Sequence, residues 1–256
     1  MTGIILSGCN GKMGKAVTKS VAEAENIEIV GGIDIYAENL SGYPVFSNPS
    51  AVPDEITKKA DVIIDFSNPS ALAGLLEYAV KNSIPAVIST TGLNDAQINL
   101  IKDASAKIPV FFSANMSLGV NLVCELAKKA ASVLGDSFDI EIIEMHHNQK
   151  IDAPSGTALM LADSVSSAME EQPKYEYNRQ SKREKRTKNE IGIHSVRGGT
   201  IVGEHEIIFA GRDEVIKLSH SAASKDIFAV GAVNAAIYLY DKKPGLYSMR
   251  DIVESV

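Results

Sequence analysis

A chain of 256 residues is long enough for two modest domains, and 45% hydrophobic with 22% charged residues is the composition of a folded globular protein, not a disordered one. A net charge of −7 excludes the basic balance of a nucleic-acid binder, so any anionic ligand must be met by a local patch. Cys9 and Cys124 are too few for a disulfide framework or a thiolate zinc site and fit a reducing compartment; the N-terminal apolar run, Ile4–Leu6, is too short for a signal segment or a membrane span, so the expected place is the cytoplasm.

In chain order, Ile4–Ser7 reads as a strand, followed by a glycine-rich turn, an amphipathic helix over 12–24 and a second strand over Ile27–Ile33. The period repeats: strands over Val62–Asp65, Ala86–Ser89 and Val110–Phe112, and helices over 70–82 and 94–106. Strands alternating with helices, each strand apolar on both faces, predict a buried parallel sheet of doubly wound α/β type. After Asn115 the pattern changes to a long helix over Leu118–Leu134, then 138–145, where Asp139, Glu141 and Glu144 interrupt apolar neighbours and predict a sheet with one wetter face. A helix over 156–171 and three closely linked strands over 192–196, 203–209 and 215–219 follow, which predicts a mixed sheet and an α+β second domain. A final helix over 227–240 is expected to return to the first domain. The boundaries are therefore 1–117 plus 226–256 for a dinucleotide-binding domain and 118–225 for the second. The stretch from Gln172 to Glu190 is rich in Lys and Arg, but Glu176, Glu184 and Glu190 are interspersed and no aromatic module accompanies it; it reads as a solvated mobile loop.

Gly8, Gly11 and Gly14 stand between the first strand and the first helix. Glycines there allow a tight turn and let helix N-terminal amides approach a pyrophosphate. The spacing is G-x-x-G-x-x-G, a weak signal by itself that a plain turn also satisfies. Asp34, at the end of the second strand and 26 residues after Gly8, strengthens it, because an acid there accepts hydrogen bonds from ribose hydroxyls. Cys9 has no base near it in sequence and reads as a small filler beside a cofactor, not a nucleophile. The loops Ser89-Thr90-Thr91-Gly92 and Ser113-Ala114-Asn115-Met116 follow later parallel strands, where ligands of open α/β sheets gather.

The richest stretch is Glu144-Met145-His146-His147-Asn148-Gln149-Lys150-Ile151-Asp152-Ala153-Pro154-Ser155-Gly156-Thr157-Ala158. Ser155, Gly156 and Thr157 would form the start of a helix whose free amides and positive dipole end favour a carboxylate, although a plain helix cap has the same residues. Lys150 adds a positive charge and a titratable donor, and His146 titrates near neutrality. Adjacent histidines also invite a metal, which is disfavoured because neighbours on a strand point to opposite faces and no third ligand has suitable spacing.

GCNGKMG, STTG, SANMSLGVN, EMHHNQKIDAPSGTA and RGGTIVGEHEIIFAG together resemble the signatures of the dihydrodipicolinate reductases, in that family's order, from about Ile4 to Ile252. The resemblance implies a Rossmann-like cofactor domain and a substrate domain whose mixed sheet assembles a homotetramer. It places NADH or NADPH contacts on Gly8, Cys9, Asn10, Gly11, Lys12, Met13, Asp34, Ser89, Thr90, Thr91, Ser113, Ala114, Asn115 and Met116. It places the catalytic histidine on His146, the proton-donating lysine on Lys150, and substrate contacts on His147, Gly156 and Thr157, beside the Ser155 read from the helix start. The implied reaction is hydride transfer from NAD(P)H to a cyclic imine dicarboxylate of the lysine/diaminopimelate pathway, with no metal.

One departure concerns the cofactor. Some members carry Arg after the ribose-binding acid and hold the adenosine 2′-phosphate with it; here that residue is Ile35, so NADH is expected to be preferred. Two rival readings share the first domain. One is a semialdehyde or homoserine dehydrogenase, of which the phosphorylating semialdehyde type needs a catalytic Cys, whereas Cys124 lies in an apolar helical run; the other is a non-catalytic dinucleotide-sensing protein, which has no use for the charged HHNQK segment.

Overall fold

The computed structural model describes residues 1–38 and 42–255, and the chain divides into two compact units, Met1–Leu118 with Asp226–Val256 and Gly119–Lys225. The first unit contains β1 (Thr2–Ser7), α1 (Lys12–Ala22), β2 (Ile27–Ile33), β3 (Val45–Phe46), α2 (Asp54–Thr57), β4 (Val62–Asp65), α3 (Leu72–Asn82), β5 (Ala86–Ile88), α4 (Asp95–Ser105) and β6 (Pro109–Phe112). The second contains α5 (Leu118–Leu134), β7 (Asp139–His146), α6 (Gly156–Ser166), β8 (Lys174–Glu176), β9 (Glu190–Arg197), β10 (Gly203–Ala210) and β11 (Val215–Ala222). The chain then returns to the first unit with α7 (Asp226–Leu239), β12 (Gly245–Tyr247) and α8 (Met249–Glu254).

The first unit is a seven-stranded parallel sheet in the order β3-β2-β1-β4-β5-β6-β12. Strand alternation fills both faces: Ile4, Leu6, Val62, Ile64, Val87 and Phe111 point into one core, and Ile5, Ile63, Ala86, Ile88 and Val110 into the other. The first core is closed by α1, through Val17 and Val21, and by α7, through Ala229, Ala232, Val233 and Ala236. Small residues let α7 lie close: a Cβ at Gly231 would come within 1.7 Å of the Met116 carbonyl oxygen. Strand order reverses between β1 and β4, the place where an open α/β sheet forms a ligand crevice.

The second unit is a mixed sheet, β11-β10-β7-β9-β8, in which β7, β8 and β9 run parallel and β10 runs antiparallel to its neighbours. Ile140, Ile142, Ile191, Ile193, Ile207 and Phe209 line the covered face, packed with Val120, Cys124 and Ala127 of α5 and Leu161, Ala162 and Val165 of α6. The opposite face carries Glu141, Ile143, Met145, His194, Glu206 and Ile208 at intermediate exposure.

Three expectations need correction. The sequence pattern puts Glu144 with Asp139 and Glu141 on a wetter face; in the structure it is in phase with Ile140 and Ile142 on the covered face and is fully buried, because Arg197 and neighbouring donors satisfy it. The basic stretch is not a free loop: Lys174–Glu176 forms β8, Arg179 pairs with Glu190 at 2.6 Å, Lys182 pairs with Glu176, and Arg186 reaches Asp139 and Glu141 at 2.9 and 3.0 Å. The interspersed acids that suggested a solvated surface are the partners that fasten it. The helix expected to reach residue 171 ends at Ser166.

Candidate functional site

At the carboxyl ends of β1, β2 and β4 lies a cavity of about 650 Å³ lined by Gly8, Asn10, Gly11, Asp34, Ile35 and Asn68, among others. Gly8 has φ +77°, and a Cβ there would sit 2.6 Å from the Phe66 carbonyl oxygen, so position 8 excludes any side chain. Gly14 lets α1 close onto the same turn, since its Cβ would meet Gly8 O at 2.3 Å. Asp34 Oδ2 accepts the Asn10 amide at 3.0 Å and Oδ1 accepts the Tyr36 amide at 3.1 Å. Asn10 Nδ2 donates to Tyr36 O and Glu38 O, at 2.6 and 3.1 Å, which ties the glycine turn to the segment after β2.

Lys12 is exposed and Met13 half-buried on the first turn of α1. Cys9 is turned away from the cavity into the core, where its Sγ fills the space above Gly32; burial, then the Asp34 charge, push its thiol up to about 11. It is a filler of the core beneath the loop, and no thiolate nucleophile.

The other loops follow β5 and β6 and lie outside the lining of this cavity. Ser89 and Thr90 are buried and Thr91 is exposed; Ser113 Oγ donates to Asn115 O at 2.8 Å, Asn115 Oδ1 accepts the Ser117 amide at 2.9 Å, Ala114 is exposed and Met116 buried. Asp65, which belongs to none of the sequence motifs, organises the first of them. Fully buried at the end of β4, it accepts from Thr90 Oγ1 and Ser67 Oγ, each at 2.6 Å, and from the Ser67 amide at 3.2 Å.

In the second unit the sequence-predicted residues gather around the end of β7. His146 Nδ1 lies 2.5 Å from Glu144 Oε2. Arg197, at the end of β9, donates to both oxygens of that carboxylate, at 2.8 and 2.7 Å, and to Asp152 O at 2.6 Å. Glu144 Oε1 also accepts the Ser155 amide at 3.1 Å. Burial alone would raise the Glu144 carboxyl, but bonds from Arg197, Ser195 and His146 and the Arg197 charge outweigh it and hold it at about 2. His146 is held below the usual imidazole value by burial, opposed by the bond and charge of Glu144 and reinforced by the charges of Lys150 and Arg197.

Ser155 caps α6, its Oγ accepting from Ala158 N at 3.1 Å and lying 3.0 Å from His205 Nε2. Its amide and hydroxyl are both engaged within the protein. Gly156 follows, exposed, and Thr157 is half-buried, in the first turn where helix amides lack intrahelical acceptors. Lys150 Nζ bonds Asp152 Oδ1 at 2.8 Å, and His147 is half-buried beside the chain turn. His205, buried against the His146 ring at 5.2 Å, is driven down to about 4 chiefly by desolvation, so it is neutral at pH 7. Among the described residues, no three His, Cys, Asp or Glu side chains are grouped to hold a metal ion. No described helix is long and apolar enough to cross a membrane.

The sequence motif assigns no role to Glu144, Arg197 or His205, which the structure brings against His146 and Ser155. The available signal was Glu144 itself, an acid in phase with Ile140 and Ile142 on a strand, which demands a buried cationic partner.

Residues 2–116 match the family model for the N-terminus of dihydrodipicolinate reductase, and residues 119–253 the model for its C-terminus. The chain is 52% identical to a 4-hydroxy-tetrahydrodipicolinate reductase of Caldanaerobacter subterraneus subsp. tengcongensis over 99% of both chains. It is 48% identical to one of Clostridium novyi, over 100% of this chain and 99% of that one. Among solved structures, the dipicolinate-bound dihydrodipicolinate reductase of Paenisporosarcina sp. TG-14 superposes with TM-score 0.77 at 27% identity, covering 98% of this chain and 99% of the other.

Proposed function

This chain belongs to the dihydrodipicolinate reductase family, and we propose that it reduces 4-hydroxy-tetrahydrodipicolinate, by way of its dehydrated cyclic imine, to tetrahydrodipicolinate in lysine/diaminopimelate biosynthesis. The observation that carries the reading is identity of about half the residues to reductases of that name along the whole chain. Loss of water from the hydroxylated substrate leaves an unsaturated ring; one hydride and one proton then complete the reduction.

The cavity at Gly8, Asn10, Gly11 and Asp34 fits a dinucleotide: position 8 admits no side chain, and an acid stands beside the turn for ribose hydroxyls. Lys12, Met13 and the backbone of Cys9 extend that contact, with Ser89, Thr90, Thr91 and Ser113, Ala114, Asn115, Met116 on the nicotinamide side. NAD(P)H supplies the hydride. His146 and Lys150 handle the proton, while Gly156 and Thr157, with His147, hold a substrate carboxylate at the positive end of α6. Ser155 acts there as the helix cap. Residues 1–117 with 226–256 form the dinucleotide domain, and 118–225 the substrate and assembly domain.

NADH is the preferred cofactor. Asp34 faces the cavity and Ile35, 74% exposed, offers no cation to a 2′-phosphate. The sheet face carrying Ile143, Met145, Val196 and Ile208 supports assembly as a homotetramer. Two buried unpaired thiols suit the cytoplasm.

The test is coupled turnover: the substrate is generated from pyruvate and aspartate semialdehyde by the preceding synthase, and NADH absorbance is followed. Consumption dependent on both enzymes is expected; its absence, with the synthase verified, overturns the reading.

A further inference from the structure

Glu144 and Arg197 meet four segments at once: the end of β7, the turn carrying Lys150 and Asp152, the residue that caps α6 and the end of β9. Neither is needed to cover the apolar core, and a buried ion pair is not an efficient source of stability, since well-packed apolar residues commonly do as well. Its geometry instead specifies orientation. A carboxylate accepts hydrogen bonds and donates none, so the short contact with His146 requires the proton to sit on Nδ1.

We infer that Glu144 and Arg197 are a positioning pair: together they fix His146 as its Nδ1–H tautomer, leaving Nε2 as the atom that exchanges a proton, and hold the Lys150 turn and the cap of α6 in register with it. Arg197 places the carboxylate with two N–H groups and, through Asp152 O, ties down the turn on which Lys150 pairs with Asp152. The second carboxylate oxygen holds Ser155 N, so a shift of Glu144 would move the imidazole and the start of α6 together. His146 Nε2 faces Gly203, which puts no side chain against it. The charged and titratable groups around the imidazole are Glu144 on its own strand, Lys150, Arg197 and the neutral His205 ring. Of these only Glu144 favours the imidazolium.

The inference rests on the proposed reductase activity for its kinetic part, but its structural part can be read without turnover. Histidine-selective ¹⁵N labelling of the intact protein gives five imidazoles, and the neutral His146 ring is expected to carry its proton on Nδ1. An Nε2–H ring in the wild type overturns the inference whatever the enzyme reduces. Glu144→Gln keeps the shape, loses the charge and can donate to Nδ1. It is expected to mix the tautomers, lower kcat about 10²-fold with a much smaller change in KM, and move the limb of the pH profile that reports His146 to lower pH by about 1 unit. An unchanged tautomer and pH profile in the folded variant overturn the inference. If that variant fails to fold, Arg197→Lys retains the charge without the two-pronged contact; a fall in kcat of about tenfold is expected, and unaltered kcat with only a lower Tm assigns the pair a structural role and overturns it. Wild-type turnover in the coupled assay separates these outcomes from failure of the reductase reading.

Discussion

A Cβ added to Gly203 would stand 3.1 Å from Nε2 of His146, closer than a carbon and a ring nitrogen settle without one of them giving way. The imidazole cannot retreat freely, because its other nitrogen is bonded to the buried Glu144. Gly203→Ala is therefore expected to fold, since β10 stays paired with β7 and β11, yet to lose roughly tenfold in kcat through displacement of the ring. Steady-state rates beside a circular dichroism melt check this; wild-type kcat in a stable variant would show that Nε2 needs no clearance.

Lys150 and Thr157 belong to one sequence motif but should fail differently. Lys150→Ala removes the proposed proton donor and is expected to lower kcat by roughly 10²–10⁴-fold with cofactor affinity near wild type. Thr157→Val removes a hydroxyl at the helix start proposed to hold the substrate carboxylate, and should act mainly on KM. The split is read from full saturation curves in the coupled assay; equal effects on kcat and KM in both variants would defeat the division of roles.

The parallel sheet was legible because its signals are local: β2 spans the predicted Ile27–Ile33 and β4 the predicted Val62–Asp65. Short edge strands were not. Val45–Phe46 and Gly245–Tyr247 are strands only because β2 and β6 offer them parallel partners, a tertiary cause that three residues cannot announce. At the candidate site, sequence spacing singles out His146, Lys150 and the start of α6, which are neighbours along the chain. It missed what arrives from far away: Arg197 is 53 residues from Glu144, and His205 is 50 from Ser155. The same limit explains the basic stretch, whose charges looked solvated until Glu141 and Asp139 of β7 were found beneath Arg186.

Acid stability should report His205. Its folded value near 4 lies below the ordinary imidazole value, so the unfolded chain takes up a proton first as the pH falls. The neutral ring's contribution is complete above about pH 6.5 and is lost progressively toward pH 4, on the order of 3 kcal/mol in all. Urea unfolding at pH 7.5 and pH 5 is expected to show His205→Gln losing about 2 kcal/mol less than the wild type between those conditions. His146 and His220, also held low mainly by burial, remain in the variant and keep part of the slope. Parallel losses in the two proteins would mean that His205 does not stay neutral in the fold.

The proposed cofactor choice turns on Asp34 and the residue after it. The carboxylate has one oxygen on the Asn10 amide and the other on the Tyr36 amide, so its place at the cavity is fixed and it cannot swing away from a 2′-phosphate. Two like charges at 4 Å repel by about 1 kcal/mol in bulk water, and by more where the cavity wall displaces solvent. NADH should therefore lead in kcat/KM by about fivefold or more, unless exposed Lys12 folds over the adenosine and compensates. Ile35→Arg supplies a cation at a position 74% exposed, where a long side chain meets no packing cost. It is expected to shift the ratio toward NADPH, and the shift should shrink between 50 mM and 500 mM salt as the new charge is screened. A wild type several-fold faster with NADPH would show that Lys12 or another cation outweighs Asp34. A salt-independent shift in the variant would place the effect of Arg in packing and not in charge.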